Sequence, residues 1–293
     1  MKANVYQAVT ERILEQMSKG IIPWQQPWSG DAEQAISYST GKPYSFLNQM
    51  LLGMRGGEYL TFNQVKAQGG RIKKGAKAGM VVFFKQIVVT DVKVKENENG
   101  EKEEVKEQHL VPLLTSYNVF HINDCEGIKS KREVVEPDSD IQPLEAAECA
   151  IGDYLCREKE LTFQNNRPSD SAYYSPSRDE VVVPMLNQYE IAEEYYSTTF
   201  HELVHSTMKE SRCNRKQESK LAAFGSEDYS REELVAEIGS AMLCNVLGIE
   251  CAKAFKNSVA YIQGWAKKLK KDPKAIVYAA SKAETAAKYI LNK

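Results

Sequence analysis

Apolar residues recur every three to four positions near the start of the chain. Val5, Val9, Ile13 and Met17 share one helical face, with Tyr6 and Leu14 beside it. That period predicts a helix over residues 5–17, ended by Gly20. A proline-stiffened loop with Trp24 and Trp28 follows, and then a turn at Thr40-Gly41-Lys42-Pro43-Tyr44. Residues 46–54 and 59–68 read as two short helices, the second ended by Gly69-Gly70. The pattern then turns β-rich over 80–91 and again over 110–122. Between those runs, 93–108 is almost wholly Lys, Glu, Asn and Gly, which reads as a mobile hairpin tip. Periodicity is lost over 127–143, the best candidate boundary. Helices are expected over 144–159, 189–211 and 231–247, and a Lys-rich helical stretch over 251–292. Residues 179–184 read as a strand that Pro184 restricts to an edge or end position.

The length of 293 residues fits two domains, placed at 1–128 and 144–293 with a linker at 129–143. The first pairs helices with a small antiparallel sheet, so the whole is expected to be α+β. No run of eighteen apolar residues exists, and the first residues lack the apolar stretch of a secretory signal. A cytoplasmic location without a membrane partner is the expectation. Six cysteines occur without a C-x-x-C pair, and they are expected to be reduced and mostly buried.

The net charge of −2 conceals a pattern. Residues 1–85 hold eleven Lys/Arg against five Asp/Glu, 86–251 hold seventeen against thirty-three, and 252–293 hold ten against two. Basic ends around an acidic middle point to a polyanionic partner for the ends.

The most informative residues are His201-Glu202-Leu203-Val204-His205, an H-E-x-x-H frame inside a helical pattern. The chain has only four histidines, and two of them occupy this frame. A spacing of four stacks the imidazoles on one helix face, where they can share a Zn²⁺ ion, with Mn²⁺ or Co²⁺ as substitutes. Glu202 then lies close enough to act as general base. A third ligand is expected from the downstream helix, where Glu233 and Glu237 are four apart on a face bearing the small residues Ala236, Ser240 and Ala241. Glu233 is assigned as that ligand and Glu237 as the carboxylate orienting an imidazole, with the reverse assignment open. Glu232 is expected to face solvent. Tyr229 and Tyr174 are candidate donors to a developing oxyanion. Peptide hydrolysis is the natural reaction class for such a set.

A second constellation lies in the basic first part. Trp24, Trp28, Tyr38 and Tyr44 are aromatic candidates for stacking on unpaired bases, and Lys42, Arg71, Lys73, Lys74 and Lys77 are candidates for holding phosphates. No helix reads as a duplex-recognition helix.

Together these segments resemble ArdC-type anti-restriction proteins. Pro23-Trp24, Pro27-Trp28, Thr40-Gly41-Lys42-Pro43-Tyr44, Phe46-Leu47-Asn48, Gly69-Gly70 with Lys74-Gly75, and Tyr117-Asn118-Val119-Phe120 are similar to that family's N-terminal domain. Tyr173-Tyr174-x-Pro176, Asp179-x-Val181-x-x-Pro184, His201–His205, Phe224-Gly225 and 232–237 are similar to its zincin-like metallopeptidase domain. The resemblance implies single-stranded DNA binding, carriage on a mobile element and protection of incoming DNA; a restriction enzyme or another DNA-bound protein is a candidate target. It does not imply that any peptide is cut. The alternative is a non-proteolytic DNA-binding protein whose metal is structural. A zincin with two central helices and a short sheet, its edge including 179–184, is the architecture expected for the second domain. That edge would be suited to binding an extended peptide.

Overall fold

The computed structural model describes residues 4–25, 34–96, 102–131, 143–215, 227–250 and 259–293. Helix α1 (Val5–Ser18) begins where the Asn4 side chain accepts from the Tyr6 N–H, and it buries Val9, Ile13 and Met17 on the face the sequence pattern marks. Strand β1 (Ala35–Ser37) and helix α2 (Phe46–Leu51) follow, with Ser45 capping the helix.

The next segment departs from expectation. Residues 59–68 are not one helix. They divide into β2 (Gly57–Thr61) and α3 (Phe62–Ala67). Thr61 and Gln64 form a reciprocal capping box that starts the helix there, so the residues before it stay extended. Tyr59, Leu60 and Thr61 then pair with His121, Phe120 and Val119.

Strand β3 (Arg71–Ile72) pairs with β6 (Cys125–Glu126). Strands β4 (Gly79–Glu96) and β5 (Lys102–His121) make one long antiparallel ribbon, in register from Gly79↔Val119 to Glu96↔Lys102. The polar stretch expected as a mobile tip is therefore mostly ladder, and only 97–101 lie outside the described residues. Backbone pairing holds a charged ribbon that hydropathy alone does not mark. The first sheet runs β1-β2-β5-β4. At the free edge of β4, the Asn48 amide imitates a strand by bonding both the N–H and the C=O of Val82.

The second half contains α4 (Pro143–Arg157), β7 (Thr162–Gln164), β8 (Tyr173–Ser175), β9 (Glu180–Val182), α5 (Ala192–Ser206), α6 (Glu227–Val246), α7 (Val259–Lys271) and α8 (Ala275–Ile290). Its sheet order is β7-β9-β8, so the strand expected at an edge is the central one. Pro184 lies beyond β9 and does not interrupt its ladder.

One hydrophobic cluster joins the two halves. Val9, Ile13, Trp24 and Met50 share it with Phe200, Leu243, Trp265 and Ile276. Trp24 is wholly buried and meets Trp265 edge-on at 6.3 Å, and Thr10 donates to the Pro273 carbonyl across the same seam. Of the expected linker, 132–142 lie outside the described residues, while the Lys131 N–H and the Lys129 carbonyl are tied to Glu58 and Tyr38 of the first half. The five described cysteines make no disulfide with one another. Cys125 and Cys244 are buried, but Cys149 and Cys156 are exposed on α4, so burial is less general than expected. Among the described residues no helix is long and apolar enough to cross a membrane.

Candidate metal centre

The approach of two helices builds the site. Helix α5 carries His201 and His205 one turn apart, with ring centroids 4.8 Å apart. Helix α6 lies against it through small residues. A Cβ on Gly239 would sit 2.8 Å from a methyl of Val204, and Ser240 donates to the Ser197 carbonyl at 2.7 Å. That close contact brings Glu233 of α6 to the imidazole pair.

The two Nε2 atoms are 3.2 Å apart. The Glu233 carboxylate lies 3.6 Å from Nε2 of His201 and 3.5 Å from Nε2 of His205. One ligand atom from each of the three falls within 4.8 Å of the others. Donors about 2.0–2.1 Å from a tetrahedral ion stand about 3.3 Å apart, so this spacing suits one small divalent cation. His201 is held above its ordinary imidazole pKa. Burial opposes that shift, but hydrogen bonding to Glu233 and the negative charges of Glu237, Glu202 and Glu233 outweigh it. Glu237 thus acts on His201 through its charge from one turn further along α6.

Glu202 is buried, and its carboxylate accepts from the Tyr174 backbone N–H of β8. Burial pushes its pKa up, and the neighbouring imidazoles of His205 and His201 only partly counter this. A cavity of about 420 Å³, lined by Tyr173, Tyr174, Pro176 and Met208, opens onto Glu202 and the imidazoles.

Glu232 does not face solvent as expected. Its carboxylate lies 3.5 Å from Nδ1 of His205 and receives two hydrogen bonds from the buried Arg215, at 2.8 and 3.1 Å. Arg215 also donates to the Val204 carbonyl and to Thr207 Oγ1 on the α5 side. No periodicity marked this pairing, because Arg215 lies outside both helices.

Tyr174 lines the cavity, but its hydroxyl donates to Asp179 Oδ1 at 2.9 Å. Asp179 also accepts from Lys209 and from both terminal nitrogens of Arg212. Burial alone would raise the Asp179 pKa, but these donors hold it down at about 2. The side chain of Tyr229 lies outside the described residues, as do Trp28 and Phe224-Gly225.

The aromatic candidates for base stacking fare unevenly. Trp24 is a core residue, as its contact with Trp265 shows. Tyr38 is buried too, with its hydroxyl donating to the Lys129 carbonyl and the Lys131 ammonium 4.2 Å above its ring. A proline-rich neighbourhood and a basic composition do not separate an exposed ring from one that plugs a core. Arg71 is paired with Glu126 and Lys73 donates to the Asn123 carbonyl. Lys42, Lys74 and Lys77 are exposed, and Tyr44 is half-buried between Tyr59 and Phe83. Phe83 and Phe84, both exposed on β4, were missed. Two adjacent phenylalanines in a strand must point to opposite faces, a signal that one of them is not in the core.

Residues 3–120 match the family described as the N-terminal domain of anti-restriction factor ArdC, and 152–282 match zincin-like metallopeptidase. An antirestriction ArdC protein from the R388 plasmid, in metal-free form, is 30% identical to this chain. It aligns over 98% of this chain and 96% of its own length, with a TM-score of 0.69. This chain belongs to the ArdC family. The Mn(II)-bound structure of that ArdC protein is similar at 29% identity and a TM-score of 0.71, over 99% of this chain and 97% of that one. A DNA primase TraC of Escherichia coli is 30% identical over 99% of this chain, which spans only 27% of that relative's length. The uncharacterized protein y4eC of Sinorhizobium fredii is 27% identical over 98% of this chain and 91% of its own.

Proposed function

We propose that this ArdC-family chain is an anti-restriction protein of a mobile element, acting in the cytoplasm, with two units. Residues 1–128 bind single-stranded DNA, and 144–293 carry a zinc-dependent peptidase centre. The observation that carries the peptidase reading is the mutual spacing of His201, His205 and Glu233, which suits one ion. That a relative was solved in a Mn(II)-bound form supports a divalent metal for the family. When bound, the ion would supply Lewis acidity to a water and to the substrate carbonyl.

The chain's own residues do the rest. Glu202, raised in pKa by burial and fixed by the Tyr174 N–H, takes a proton from the attacking water and returns it to the leaving amine. The peptide would lie along β8 rather than along the central β9, because β8 is the sheet edge that borders the cavity.

The test is Glu202→Gln, with bound metal, peptide cleavage and protection of incoming DNA all measured. Metal retained with cleavage and protection both lost is expected. Protection that survives without cleavage would support the non-proteolytic alternative, in which the metal is structural.

A further inference from the structure

Two cavities away from the metal centre form one trench. One, of about 230 Å³, is bounded by Phe83 and Phe84 of β4 and by Val277 and Ala280 of α8. The other, of about 450 Å³, is bounded by Lys42 and by Lys288 and Lys293 at the end of the chain. They share Pro43, Tyr44, Ser45 and Glu284, so the trench is continuous from an aromatic end to a basic end.

The aromatic end is a chain of rings. Tyr44 meets Phe83 at 6.0 Å, and Phe83 meets Tyr117 at 5.9 Å with the Lys85 ammonium 5.2 Å above the Tyr117 ring. Phe83 is 45% exposed and Phe84 52%, large areas for aromatic rings, and among the described residues of the first half only Phe62, outside the trench, is a comparably exposed ring. Along the Phe84 face the ribbon continues with exposed Val88 and Leu110. Among the described residues the one acidic side chain lining the trench is Glu284, which is paired with Lys288 at 2.8 Å, so the two charges largely offset each other towards an anion.

Exposed ring faces suit unpaired bases, because a base inside a duplex has both faces covered by its neighbours. Lysines at the other end suit the phosphates of the same strand. We propose that this trench is the single-strand track, crossing the free edge of β4 with bases over Tyr44 and Phe83 on one side of that edge and over Phe84 on the other, and with phosphates on Lys42 and Lys293. It rests on the reading that the chain binds single-stranded DNA. It also moves part of that site to the end of α8, so the C-terminal end of the chain and the first half would grip one strand jointly.

The experiment measures binding of a fluorescent oligothymidylate to the full chain by anisotropy over a range of salt. Phe83→Ala with Phe84→Ala is expected to weaken binding about tenfold or more, since each base–aromatic stack lost has roughly that effect. Lys42→Ala with Lys293→Ala is expected to reduce the slope of log affinity against log salt by about 1.4, the value for two phosphate contacts on a single strand. Phe62→Ala, which removes an exposed ring outside the trench, is expected to leave binding unchanged. All four residues to be changed in the trench lie at or near the surface, and matching thermal melts check that the variants fold. Tight binding by the parent chain with both trench variants unaffected would overturn the track and leave single-strand binding standing. Equal loss in Phe62→Ala, or stronger binding to the duplex form, would overturn the track as well. No binding by the parent chain would overturn both the track and the reading beneath it.

Discussion

Glu232 Oε1 stands 3.5 Å from Nδ1 of His205. The same carboxylate is gripped by Arg215, whose side chain is only 1% exposed. The imidazole face turned away from Glu233 therefore meets a carboxylate that is itself held in place, an arrangement that fixes ring orientation and tautomer in histidine ligands. Glu232→Gln should weaken metal binding about 10–100-fold, as read by titration calorimetry with Zn²⁺, and should also lower stability, because the buried Arg215 guanidinium loses its counter-charge. Arg215→Met should weaken metal binding likewise. It should also cost about 3–5 kcal/mol in denaturant unfolding, because it strands a buried carboxylate. Unchanged affinity in both variants would remove Glu232 from any role at the centre.

The contact between α5 and α6 sets the reach of Glu233. In Gly239→Ala the new methyl would press on Val204. A stability loss of about 1–3 kcal/mol is expected, with weaker metal binding as α6 is pushed outwards. Adding Val204→Ala should recover much of the metal affinity. A double variant as weak in metal binding as Gly239→Ala alone would show that helix separation is not what matters.

Asp179 gives a pH dependence with a definite sign. Its folded pKa, about 2, lies below its ordinary value of 3.8, so its stabilisation is present at neutral pH. That contribution, about 2 kcal/mol, fades as pH falls from roughly 4 to 2. Asp179→Asn should lower stability at pH 7, and the gap to the parent should narrow over that acid window. A gap that stays constant from pH 7 down to 2 would contradict the assignment of the Arg212, Lys209 and Tyr174 donors to its charged form.

Trp24 joins the core of the first half to Trp265. Trp24→Ala should cost about 3–5 kcal/mol. Because one cluster spans both halves, unfolding monitored on each half should remain a single coincident transition in the parent chain. Two separate transitions there would show that the halves fold independently.

Much of the candidate site was legible because it is local. The H-E-x-x-H spacing places two imidazoles on one face of any α-helix, whatever surrounds it. The small residues Ala236, Ser240 and Ala241 announced a close helix contact, and Ser240 makes one with the Ser197 carbonyl of α5. The α1 face was equally plain, since a period of three to four is a property of the helix itself. The error at 59–68 was also local in origin. Apolar spacing outweighed the capping box at Thr61 and Gln64, which marks where the helix starts.

What the sequence by itself determined is which elements form and which side chains share a face, because hydrogen bonds within a helix and the alternation of a strand depend on near neighbours. Only the tertiary structure decided that β9 is central and β8 the edge, that Trp24 plugs a core, and that Arg215 reaches Glu232 behind His205. These depend on contacts between residues far apart in the chain. Their cost in chain entropy and their return in burial are set by how whole elements pack, and no short window of sequence carries that information.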